Sequence, residues 1–243
     1  MIITADTKMA DIIHLNYYLI SVIYRFGINL GFGEDTVKEA CKKNDININF
    51  FLEIVNAFHD KEYFPQSHLK SFSVKLIINY LRKTHKFYID FKFPELQNLI
   101  NKMVNTCYPK SKDVALVNKF FNEYKEELNN HINREEEVAF PYAIKIENAY
   151  LSNNIPEELK KELVNYSISK YNSEHDNLEE KPFDLKNIII KYLPPPTNNY
   201  LCSKVIDELY HLEKDLNDHA RIEEKVMVPK IIEMENYIKK RLV

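Results

Sequence analysis

A chain of 243 residues with 45% hydrophobic and 28% charged residues has globular composition, which excludes a disordered polymer and allows a medium domain with a small companion. A net charge of −3 lacks the basic excess of a nucleic-acid surface. Only three glycines occur, all between Gly27 and Gly33, an economy that excludes a turn-rich β architecture and favours an all-α fold.

In chain order, a first helix is expected over roughly 8–26, followed by the glycine-bearing turn RFGINLGFGED. Thr36 and Glu39 have the spacing of a capping box for a second helix, and NFFLEIVNAF supplies a third. These make a small N-terminal helical domain, residues 1–60, and HDKEYFPQSH reads as a linker. From residue 67 to 243 the pattern changes to amphipathic stretches over roughly 67–91, 94–107, 112–150, 167–192 and 200–240. The first, third, fourth and fifth are long enough for a four-helix bundle, and 94–107 reads as a shorter connecting helix. YPKSKD, LSNNIPEE and LPPPTNN mark the loops between them.

No apolar run approaches the ~20 residues that cross a bilayer, and the N-terminus has neither a basic stretch nor a small-residue cleavage site. A cytoplasmic protein without membrane or nucleic-acid partners is expected. Cys41, Cys107 and Cys202 are far apart in sequence, odd in number and without C-x-x-C spacing, which predicts free thiols.

The stretches HINREEEVAFP, from His131, and HARIEEKVMVP, from His219, repeat one pattern: histidine, glutamate at plus four, valine at plus seven, proline at plus ten. Tyr124, Leu128, His131, Glu135 and Val138 recur at three- and four-residue steps, as do Leu209, Leu212, Leu216, His219, Glu223 and Val226. The first bundle helix continues the theme with Val74, Ile78, Leu81, His85 and Tyr88, and the fourth stretch with Ile168, Tyr171, His175 and Leu178. Four helices therefore aim a histidine at the interior. A core holding two glutamates and four histidines needs a compensating charge, since an unpaired buried carboxylate costs several kcal/mol. Six such ligands are too many for one tetrahedral ion and lack the thiolates of structural zinc. Imidazole with carboxylate on facing helices suits a carboxylate-bridged pair of iron ions, with manganese or zinc as substitutes.

The two H-x3-E motifs, SEHD around His175, His85 shortly before FPEL, and PPP before the last helix together resemble the hemerythrin-like RIC proteins, the repair-of-iron-centres family of YtfE/ScdA type. The resemblance spans nearly the whole chain. It implies a small N-terminal domain, a four-helix bundle with a non-haem di-iron centre, and recovery of iron–sulfur clusters after nitric oxide or peroxide damage. It implies His85, His131, His175 and His219 as terminal imidazoles and Glu135 and Glu223 as bridging carboxylates. Small oxidants and diatomic ligands (nitric oxide, oxygen, peroxide) and damaged iron–sulfur proteins are the expected partners; homodimerisation is left open.

Two departures stand out. Where the family carries a further ligand histidine this chain has MVNTCYPK, with Tyr108 as the nearest counterpart and candidate ligand. Where the family's glycine turn carries a Cys-Cys pair, this chain reads GINLGFGED. A sensor or carrier of oxygen or nitric oxide, or an iron-storage bundle, remains an alternative, and whether the protein is an enzyme is open. His14, His59, His68 and His211 read as surface imidazoles, and Glu136 and Glu224 as side chains turned about 100° from their neighbouring ligands, with a hydrogen bond that supports a ligand as the lesser alternative.

Overall fold

The computed structural model describes residues 1–109, 114–173 and 180–242, with the backbone only for 171–173. The expected first helix is two: α1 (Met9–Leu15) and α2 (Leu19–Arg25). The break comes from Asn16, whose backbone is extended and whose Oδ1 accepts a 3.1 Å hydrogen bond from the Tyr18 amide. A short polar side chain that bonds to nearby backbone offers the chain an alternative to the helix ladder. Gly27, at φ 85, then turns the chain out of α2 in a conformation that side chains rarely tolerate. Helix α3 (Val37–Lys43) begins with the Thr36/Glu39 capping box, both of its reciprocal bonds present. Helix α4 (Ile48–His59) is capped by Asn47. Its buried Asn56 bonds both the amide and the carbonyl of Ile3, at 2.8 and 2.9 Å, which pins the start of the chain. A short α5 (Gln66–Leu69) interrupts the linker.

Four helical rods follow among the described residues. The first is α6 (Val74–Phe87), capped by Ser73, then a π-helical turn (Tyr88–Lys92) and α7 (Phe93–Cys107). The second is α8 (Ala115–Arg134), a π turn (Glu135–Ala139) and α9 (Phe140–Ser152). A helix that the turn-forming LSNNIPEE gave no sign of, α10 (Glu157–Asn165), precedes the third rod, which comprises α11 (Ile168–Ser173), α12 (Lys181–Asn187) and a π turn (Ile188–Tyr192). The fourth is α13 (Asn199–Ile222), a π turn (Glu223–Met227) and α14 (Val228–Lys240). Helix α6 packs on α9 and α7 on α8, while α13 packs on α7 and α12 and α14 on α11, so these rods run antiparallel to one another; α14 also packs on α9, and the second and fourth rods run parallel. The fold is all-α.

The stretch 94–107 is therefore no connecting helix. It is the second half of the first rod and packs along α13. Pro94 marked a boundary in the sequence because proline has no amide hydrogen and clashes with the carbonyl four residues back. The π turn carries the rod past it. The same solution occurs before Pro141 and Pro229: the amide just before each proline bonds five residues back, Phe93 to Tyr88, Phe140 to Glu135 and Val228 to Glu223. The Lys225 carbonyl, which Pro229 cannot serve, accepts instead from Gln66 Nε2 at 2.5 Å.

One extra residue in the turn also moves the buried face. Val138, expected on the stripe, is 45% exposed, and Ala139 takes its place in the core. Buried apolar side chains form two clusters. One joins α1–α4 to α6, α9, α11 and α14; the other lies among α7, α8, α12 and α13. Leu81, Phe140 and Ile222 close the first, and Tyr88, Leu128, Ile132 and Leu216 close the second. Between them lies a polar layer. No helix among the described residues is long and apolar enough to cross a membrane.

Candidate metal centre

The layer is built at one level of three rods. His85 lies near the end of α6, His131 near the end of α8 and His219 near the end of α13. Glu135 and Glu223 are each the first residue of a π turn, one helical turn after their histidines. An i to i+4 spacing stacks imidazole and carboxylate on the same face. All five side chains are buried, Glu135 completely.

Glu135 is the centre of the arrangement. Its Oε2 lies 3.1 Å from His85 Nε2 and its Oε1 lies 3.1 Å from His131 Nε2, so each oxygen of one carboxylate faces a different imidazole. His219 Nε2 is 3.3 Å from His85 Nε2 and 3.9 Å from Glu223 Oε2. Two donor groups result, His85–Glu135–His219 and His131–Glu135–Glu223, the ligand atoms of each within 4.8 Å of one another. Donors about 2.1 Å from a shared ion at right angles stand about 3 Å apart, which is the spacing found here. The shared glutamate makes the two groups one site with two lobes. Leu128, Ile132, Leu216 and Tyr88 wall the small cavity into which the donors point.

The electrostatics favour a cation. Burial alone would raise the Glu135 carboxyl, but hydrogen bonds to His131, His85 and Glu223 outweigh it and hold the group well below the usual carboxylate range. Burial, then the charge of His85, drives His219 well below the ordinary imidazole value, so it presents a neutral nitrogen. For His85 the penalty of burial is overcome by hydrogen bonds to Glu135 and Glu136, and its net shift is upward. Two buried carboxylates facing imidazole nitrogens fit a divalent or trivalent ion, which would supply the compensating positive charge.

Glu136 turns away from Glu135 as expected, and the lesser of its two expected roles is the one found: that direction brings it to the outer edge of His85, where Oε1 accepts from Nδ1 at 2.9 Å. Arg82, one turn before His85, donates to the other oxygen of Glu136 at 2.7 Å. This chain of contacts fixes the tautomer that points Nε2 at Glu135. Phe140 stacks on the His85 ring at 5.5 Å, and Tyr88 meets His219 edge-on at 6.0 Å. The spacing of Arg82 from His85 was visible in the sequence; the meeting of His85 with Glu136, 51 residues away, was not. Glu224 is exposed, as expected.

Tyr108 is not among the residues around this cavity. It is buried, as its position on the stripe suggested, but its hydroxyl lies 3.6 Å from Cys202 Sγ. Helical register sets which face a residue occupies and says nothing of depth: Tyr108 follows His85 by 23 residues, about 34 Å along the rod. His175 and Glu174 lie outside the described residues. His14 is exposed and His68 is half exposed in an ion pair with Glu53. His59 is half-buried beside Asn16. His211, expected in solvent, instead packs edge-on against Tyr18 at 4.6 Å with Nε2 3.4 Å from the Tyr17 hydroxyl.

Comparison with known proteins places this geometry. Residues 77–231 match the family model described as Hemerythrin HHE cation binding domain. The chain is also 19% identical over 231 residues to the iron-sulfur cluster repair protein ScdA of Staphylococcus haemolyticus (strain JCSC1435), an alignment covering 94% of this chain and 99% of that protein. The family match spans α6 to α14 and contains every donor of the buried layer.

Proposed function

Because this chain belongs to the hemerythrin HHE cation-binding family, we propose that its buried layer holds two iron ions and that the protein restores damaged iron centres under nitric oxide or oxidative stress. The observation that carries the di-iron reading is Glu135, whose two oxygens face imidazoles of two different donor groups. In this reading His85, Glu135 and His219 would hold one ion and His131, Glu135 and Glu223 the other, and His175, outside the described residues, would be a further ligand. Such a pair supplies electron exchange and positions for small diatomic ligands. The chain's own residues do the rest: Glu136 and Arg82 orient His85, and Leu128, Ile132 and Leu216 keep bulk water from the donors.

The repair reading draws support from the full-length similarity to ScdA. Its substrates would be damaged iron–sulfur proteins of the cytoplasm. A second reading, reversible binding of oxygen or nitric oxide without turnover, draws support from the glycine turn GINLGFGED, which has no cysteine for any chemistry that needs thiols there. Turnover with a reductant separates the two.

The test of the site is metal analysis after anaerobic reconstitution. Two iron ions per chain are expected. Glu135→Ala is expected to remove more than one ion's worth of binding, because that carboxylate faces both groups; loss of one ion with full retention of the other would overturn its bridging role. At most one ion in the unaltered protein would overturn the pair.

A further inference from the structure

Two of the three cysteines, far apart in sequence, meet at the end of the bundle away from the metal layer. Cys107 is the last residue of α7 and Cys202 lies in the first turn of α13. The Cys107 thiol donates to the Asn198 carbonyl at 3.4 Å, and the Cys202 amide lies 3.5 Å from that same oxygen. Cys202 is a neighbour of the Cys107 thiol that contributes to its raised pKa, and the hydroxyl of Tyr108, the residue after Cys107, is 3.6 Å from Cys202 Sγ. Thr197 clamps the junction, its amide bonding the Cys107 carbonyl at 3.2 Å and its hydroxyl the Thr106 carbonyl at 2.9 Å. Cys202 and Tyr108 line a cleft of about 570 Å³ walled by Pro194, Pro195 and Pro196, room enough for a peroxide to reach the sulfur.

We propose that Cys107 and Cys202 form a reversible disulfide on exposure to peroxide, a redox site separate from the metal layer. Cys202, at the cleft, reacts first: its sulfur attacks the peroxide O–O bond, giving a sulfenic acid and one water from hydrogen peroxide. The Cys107 sulfur then displaces the hydroxyl of that sulfenic acid as a second water, so two thiols are oxidised by two electrons and one peroxide is reduced. Cys107 does not line the cleft, so Cys202 is the first of the two to meet peroxide, and burial, followed by the neighbouring Cys202, pushes the Cys107 thiol up to about 11. Cys41 is the internal control: it is buried in the other hydrophobic cluster and its thiol is pushed up to about 11 by burial.

The experiment treats the full-length, metal-loaded protein with hydrogen peroxide, counts thiols under denaturing conditions and maps the peptides by mass spectrometry. The expected result is a fall from three free thiols to one, a Cys107–Cys202 linked peptide pair, an unmodified Cys41, and full recovery with dithiothreitol. Cys202→Ser should abolish the linked pair and leave Cys107 reduced. The proposal is overturned if all three thiols survive, if Cys41 enters the crosslink, or if Cys107 and Cys202 are oxidised singly to sulfinic acids. The map on the unaltered chain decides the matter even if the variant does not fold. Metal stoichiometry plays no part in this readout, so its outcome is independent of the di-iron reading.

Discussion

Glu136 shows how one side chain on a neighbouring rod can govern a ligand. It touches His85 on the nitrogen opposite the donor, and Arg82 holds it there. Partners of this kind typically contribute 10–100-fold in metal affinity, and Glu136→Ala is expected to weaken binding by about that factor in a chelator competition. Glu224→Ala, the matching position on the last rod, is exposed and should leave affinity unchanged. Equal loss in both variants would show that net charge, and not the His85 contact, is responsible. Folding should survive in each case, since Glu136 is itself only half-buried.

The π turn gives the rods their local character. Each adds one residue to the hydrogen-bonded ring, so the helix bulges where Glu135 or Glu223 projects and returns to register beyond it. Deleting exposed Glu137 from within the turn should convert it to regular helix and keep α9 on the same core face. The protein is expected to fold with near-native circular dichroism and to lose metal, because Glu135 is drawn out of line with His131. Deleting exposed Asn130 from α8 should instead rotate everything beyond it by about 100°, exposing the apolar stripe and preventing folding. If both deletions behave alike, the π turn is not what absorbs the extra residue.

The whole molecule is held together across its two parts by an ion pair whose arginine is buried and whose aspartate is partly exposed. Arg25 of α2, fully buried, pairs with Asp215 of α13, one turn before His219, and its guanidinium lies 4.8 Å from the Phe87 ring and 5.5 Å from the Tyr88 ring. Lys214 adds a bond to the Phe58 carbonyl at 3.1 Å, and Lys230 reaches the Lys70 and Phe72 carbonyls at 2.8 and 2.7 Å. Removing one member of a buried pair strands the other, at a cost of about 3–5 kcal/mol. Asp215→Leu, which strands the buried guanidinium, should therefore lower thermal stability severely. Arg25→Met with Asp215→Leu should recover most of the loss, since no charge is left unpaired. A double variant no more stable than the single one would show that Arg25 acts through its ring contacts instead.

Much of this was written in the order of residues. Hydrophobic periodicity marked the rods, and the recurrence of His and Glu on the apolar stripe marked His85, His131, Glu135, His219 and Glu223, because a polar residue at a core position carries a cost that demands a partner. Capping was equally local: Thr36 with Glu39 could be read directly. What depended on contacts between distant segments could not. Pro94 looked like a helix boundary because the π turn that bypasses it leaves no simple composition signal, and the same turn moved Val138 out of the core in favour of Ala139. Tyr108 lay on the correct face at the wrong depth, a distinction that periodicity, being an angle and not a length, does not contain. Only folding brought Glu136 to His85, Arg25 to Asp215 and Cys107 to Cys202. The sequence by itself determined which side chains must be buried together, since each stripe is a property of one helix; which of them touch was decided by how the rods are staggered, a property of all four at once.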